Sequence, residues 1–183
     1  MLEFLKNKIA GIVVDKQLKE QHFESHTFTA FFDKAFTFFI AMPEDDRDFT
    51  YSLPILNFLA DYKKSAMVMT KDFKVSLLPQ KFRGRAIEYS DRDINKWKLP
   101  SKKLSDKLSE MQFNVSIDLN RKENLFYSYS SNLVQAPLKI GFAKPDSDKF
   151  YNLQIKNEED NPEISYENFL NCLKMFSGLP NEL

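Results

Sequence analysis

Two short runs, Phe113-Asn-Val-Ser-Ile-Asp-Leu119 and Leu138-Lys-Ile-Gly-Phe142, constrain this chain more than any other feature. Each is apolar and β-rich, the pattern of a strand buried on both faces of a parallel sheet. About twenty residues separate them, room for one crossover helix and its turns. The first run ends in Asp118-Leu119-Asn120, polar groups at a strand's carboxyl end. Open α/β sheets place their ligands there.

The rest of the chain alternates in the same way. Apolar spacing predicts an amphipathic helix within residues 1–24, weakened by Gly11, and strands at Phe36–Met42, Ser65–Thr70 and Arg85–Tyr89. Helical spacing falls on Phe49–Tyr62, with Pro54 read near its first turn, where proline costs least. Lys102–Met111 follows Ser101 as N-cap, Glu123–Val134 reads as the crossover helix, and Phe150–Ile155 as a sixth strand. A last helix spans Tyr166–Phe176, before Gly178 and Pro180. The expectation is a doubly wound, mainly parallel, Rossmann-like sheet in three α/β/α layers, with strand order of the 3-2-1-4-5 type. Residues 1–30 form an N-terminal helical segment and residues 31–183 the single lobe.

Composition narrows the function. Twenty-six basic and twenty-six acidic side chains leave no net charge, which argues against electrostatically driven nucleic-acid binding and leaves little repulsion against self-association. The single Cys172 forms no intrachain disulfide, so a reducing cytoplasm is the expected compartment. No stretch reaches the ~18–20 apolar residues of a membrane span, although the N-terminal helix has the character to rest on a membrane surface. Phenylalanine is abundant, with 18 copies. Phe23, Phe28, Phe31 and Phe32 cluster ahead of the first strand and mark a candidate interface with a protein partner or a second copy; packing of the N-terminal helix over the sheet is the simpler account.

A nucleotide cofactor is not expected. A dinucleotide fingerprint needs glycines between the first strand and its helix. Here that turn is Met42-Pro-Glu-Asp-Asp-Arg-Asp48, with no glycine and four carboxylates, which would repel phosphate.

The layout resembles the N-terminal, acceptor-binding lobe of glycosyltransferase family 9, the heptosyltransferase-like family. Arg47-Asp48-Phe-Thr-Tyr-Ser-Leu53-Pro54-Ile55-Leu56 is similar to its Gly-Asp turn and following Leu-Pro helix. Phe113–Leu119 resembles a strand reading Asp-Val-Val-Ile-Asp-Leu, and Leu138–Phe142 one reading Arg-Ile-Gly-Phe. Asn168–Gly178 resembles the family's closing helix. The resemblance covers roughly residues 36–178 and implies the fold above. It also implies Asp48 as a general base toward a sugar hydroxyl, with chemistry in a cleft against a donor-binding lobe. The family's glycine is Arg47 here and one lobe is present, so the expectation leans away from catalysis.

Three functional classes follow. The first is a non-catalytic interaction or structural protein derived from such a lobe. The second is the acceptor half of a split glycosyltransferase with Asp48 as base. The third is a sensor of a sugar phosphate or nucleotide, binding through Asp118, Asn120, Ser128 and Ser131. Each residue also has an ordinary structural role: Asp48, and Asp118 with Asn120, are expected helix caps. Glu44, Asp45, Asp46 and Asp48 could hold a cation but read first as a solvated loop. His22 and His26 lack partners for metal binding. Cys172 lies on the apolar stripe of the last helix. Arg83, Arg85, Lys102, Lys103 and Lys107 make a solvated basic stretch whose minority reading is an anionic partner.

Overall fold

The computed structural model describes residues 2–18 and 32–177. In chain order these form α1 (Leu2–Leu18), β1 (Thr37–Ala41), α2 (Asp46–Asp61), β2 (Ser65–Lys71), α3 (Gln80–Arg83) and β3 (Ala86–Tyr89). There follow α4 (Lys102–Ser109), β4 (Val115–Asp118), α5 (Leu125–Leu133), β5 (Leu138–Phe142), β6 (Leu153–Ile155) and α6 (Pro162–Phe176). The six strands make one all-parallel sheet in the order β3-β2-β1-β4-β5-β6. This is a Rossmann-like, three-layer α/β/α fold. Among the described residues no helix is long and apolar enough to cross a membrane.

Side-chain alternation along the strands builds the two cores. Phe38 and Ile40 of β1, with Val115 and Ile117 of β4, pack with Ile55, Leu56 and Leu59 of α2 and with Phe169 and Leu173 of α6. Phe39 and Ala41 face the other way, into a core with Leu104 and Leu108 of α4 and Phe126 and Tyr127 of α5. The central strands are buried on both faces, so their sequences read as continuous apolar runs. A third cluster joins Ala10 and Val14 of α1 to Leu99, Tyr129, Phe150 and Tyr151, and seats α1 beside the carboxyl ends of β4 and β5.

Several helix boundaries differ from the sequence reading. Helix α2 begins at Asp46, capped by Asp45, whose carboxylate accepts from the amides of Arg47 and Asp48 at 2.9 and 3.1 Å. Those amide bonds hold its carboxyl below the usual range. Pro54 therefore sits inside the helix, not in its first turn. It is tolerated because it lies on the exposed face, and the carbonyl it leaves unpaired belongs to exposed Thr50. Helix α5 is capped by Asn124, not by Asp118 or Asn120. Ser101 caps α4 as expected, accepting from the Leu104 amide at 3.3 Å.

Candidate functional site

The strand order reverses between β1 and β4, so ligand-accessible groups are expected at their carboxyl ends. Asp118, the last residue of β4, is fully buried there. Its Oδ1 accepts from the Asn120 amide at 2.9 Å and from Asn120 Nδ2 at 2.7 Å. Lys144 Nζ lies 3.1 Å from Oδ2 and also donates to the Asn120 carbonyl at 2.9 Å. The Tyr151 hydroxyl donates to the same Oδ2. Ser128 Oγ sits 2.8 Å from that hydroxyl and 3.4 Å from Oδ2. The Tyr151 phenol and the Ser128 hydroxyl each have one proton, and both lie within reach of the Asp118 carboxylate, which only accepts. Burial, reinforced by the Asp118 charge, pushes the Tyr151 phenol well above its ordinary value and keeps it a donor.

This network stands behind a cavity of about 440 Å³ between α1, the Trp97 loop and the amino end of α5. Of its members only Ser128 and Lys144 line the cavity; Asp118, Asn120 and Tyr151 hold them in place. The other walls include Ala10, Gly11, Trp97, Asn124 and Phe150. The lining also carries Lys98 and Lys149 as cations and Glu123 and Asp146 as anions. Lys144 is matched by Asp118, and Lys149 by Asp15 at 2.8 Å. The charges nearly cancel, so the cavity is polar without a strong field.

Asp48 is in a different environment. It is buried, with 4% of its surface exposed. Its Oδ1 accepts from Arg121 Nε at 3.2 Å and Nη2 at 2.9 Å. Arg121 Nη1 then reaches the Glu159 and Asp160 carbonyls and Ser165 Oγ at 3.2–3.3 Å. One oxygen of this carboxylate is thus engaged by a guanidinium that ties α2 to the loop before α6. Neighbouring carboxylates also have their own cations: Glu44 pairs with Lys71 at 2.9 Å and Asp46 with Lys74 at 2.8 Å.

The structure therefore brings Asp118, Asn120 and Ser128 together and leaves Asp48 apart from them. Ser131 lies under the sheet, one turn along α5, where its carbonyl accepts from Ser116 Oγ at 2.8 Å. Phe32, read as an interface residue, is 1% exposed and packs on Phe38 and Phe176 in the core. That burial leaves no ring surface for a second molecule. Phe23, Phe28, Phe31, His22 and His26 lie outside the described residues. Cys172 is half-buried against the core, and burial raises its thiol pKa.

Three members of these networks escaped the sequence reading: Lys144, Tyr151 and Arg121. Lys144 follows β5 by two residues, so the carboxyl-end rule that singled out Asp118 could have found it. Tyr151 comes back over the site after a turn with Asp146 in the left-handed region, at φ 58°, and no local signal marks that return. No family model matches the chain, and no curated protein or solved structure matches it.

Proposed function

We propose that this chain is a non-catalytic binding protein that takes a small, hydroxyl-rich ligand in the cavity over Ser128 and Lys144. One observation carries the reading. A buried network of Asp118, Tyr151 and Asn120 stands behind the cavity and fixes Ser128 and Lys144, the two of its members that line it, with the Lys144 ammonium turned toward Asp118 and the Asn120 carbonyl. Such preset groups fit the hydroxyls of a sugar, and Trp97 supplies an apolar wall. The near balance of charge favours a ligand with at most one anionic group, a sugar or sugar monophosphate rather than a nucleotide triphosphate. The resemblance to the acceptor lobe of glycosyltransferase family 9 supports the same ligand class. The Arg121 pairing of Asp48 favours binding over catalysis with Asp48 as base.

The test is thermal unfolding against a panel of monosaccharides, sugar phosphates and nucleotides. A ligand at about 100 times its Kd stabilises by about 2.7 kcal/mol. A shift with a sugar or its monophosphate that Ser128→Ala abolishes is expected. No shift across the panel, or one that Ser128→Ala and Trp97→Ala leave unchanged, would overturn the reading.

A further inference from the structure

At the opposite end of the sheet, the entry side of β1, β2 and β3, lies a groove of about 390 Å³. Its floor is Ala60, Ser65, Ala66 and Phe82, and its rim is Phe36, Lys63, Lys64, Lys81 and Arg85. Four cations and no carboxylate are found among its described lining residues. Local geometry holds parts of the rim in place. Arg85 Nη1 rests 3.1 Å from Ser65 Oγ, Lys64 Nζ 2.7 Å from the Asp33 carbonyl, and Lys63 is in the left-handed region at φ 56°. Phe36 is 59% exposed, a large apolar surface beside these cations. Nothing in the ligand cavity or its network uses this groove.

The chain carries a matching surface. After β6, at the other end of the same parallel sheet, Glu158-Glu159-Asp160 are all exposed. Arg121 and Ser165 hold the backbone carbonyls of this loop: Arg121 Nη1 reaches Glu159 at 3.3 Å and Asp160 at 3.2 Å, and Ser165 Oγ reaches Glu159 at 3.1 Å. Glu158 shares its charge with Lys156 in the loop. Such a segment is rigid and acidic, and needs little ordering to dock. With zero net charge over the chain, no overall repulsion opposes contact between copies.

We propose that the protein self-associates head to tail, the Glu158–Asp160 loop of one copy seating in the Lys64–Arg85 groove of the next. Because the two surfaces lie at opposite ends of one parallel sheet, the contact is heterologous, and successive copies add in one direction. This interaction is independent of the ligand proposed for the cavity.

Sedimentation velocity over a range of protein concentrations, in low salt and in 1 M salt, tests it. The expected result is an average mass that rises past a dimer in low salt and returns to the monomer at high salt, where screening acts over about 3 Å. Lys64→Glu/Arg85→Glu carries two acidic surfaces, and Glu159→Lys/Asp160→Lys two basic ones. Each variant alone is expected to stay monomeric, with an unchanged circular dichroism spectrum. Mixed together they should assemble, because each supplies the surface that complements the other's. A wild-type protein that remains monomeric throughout overturns the proposal. So does an oligomer that survives 1 M salt, or a mixture of the two folded variants that stays monomeric.

Discussion

Gly141 lies directly beneath the ring of Tyr151: a Cβ at position 141 would stand 2.7 Å from Tyr151 Cε2 and 2.8 Å from its Cζ. Any larger residue must push away a ring whose hydroxyl is fixed to Asp118 and Ser128. The Ile-Gly-Phe pattern of β5 thus has a local cause. Its glycine makes room for the phenol that organises the cavity wall.

Gly141→Ala should destabilise the protein by about 1–3 kcal/mol, the range for overpacking a filled interior. Urea unfolding measures this. Because the displaced ring carries the Asp118 contact, the variant should also lose the ligand-induced thermal shift. Retention of full stability would mean that the ring yields freely.

In the Asp48–Arg121 pair the carboxylate is buried and the guanidinium half-buried, with 6% and 11% of their side chains exposed. Arg121→Met leaves a buried carboxylate without its partner and should cost about 3 kcal/mol. Asp48→Asn in the same background should restore part of that loss, giving a coupling of at least about 1 kcal/mol in a double-mutant cycle. Additive losses would show that Arg121 acts only through the carbonyls of the loop before α6.

Lys139 of β5 is 6% exposed, and burial lowers its amine to about 8 from the ordinary 10.5. Between those values the unfolded chain holds a proton that the folded chain has lost, so stability from this group rises with pH across that window. Below about 8 both states are charged and the contribution is flat. Above about 10 the buried phenols of Tyr127, Tyr151 and Tyr166 act in the opposite sense, since burial raises their folded pKa values. Wild type should therefore gain stability from pH 8 to 10 relative to Lys139→Met. Parallel stability curves for the two proteins would refute the assignment.

Phe32 and Phe36 separate core from surface within five residues. Phe32→Ala removes a ring packed on Phe38 and Phe176 and should cost about 3–4 kcal/mol. Phe36 is exposed, and Phe36→Ser should change monomer stability by no more than about 0.5 kcal/mol. Chemical denaturation in high salt, where copies are expected to be separate, makes the comparison.

Apolar periodicity and chain spacing were enough to read the parallel sheet, its helical crossovers and the place of Asp118 at a strand end. Those properties are local: a strand buried on both faces must be apolar along its whole length, and a parallel neighbour must lie one crossover away. Local sequence also marked Ser128 as part of a polar helix. It could not show that Lys144 and Tyr151 converge on Asp118, because their approach depends on the sheet order and on space left at Gly141. Nor could it separate the roles of the carboxylates in the Glu44–Asp48 turn. Asp45 is the cap through its bonds to the Arg47 and Asp48 amides, whereas Asp48 forms the ion pair because folding brings Arg121, just after β4, beside it. Burial decided the phenylalanines in the same way, since hydrophobic character is written in the sequence but the surface a ring covers exists only after packing.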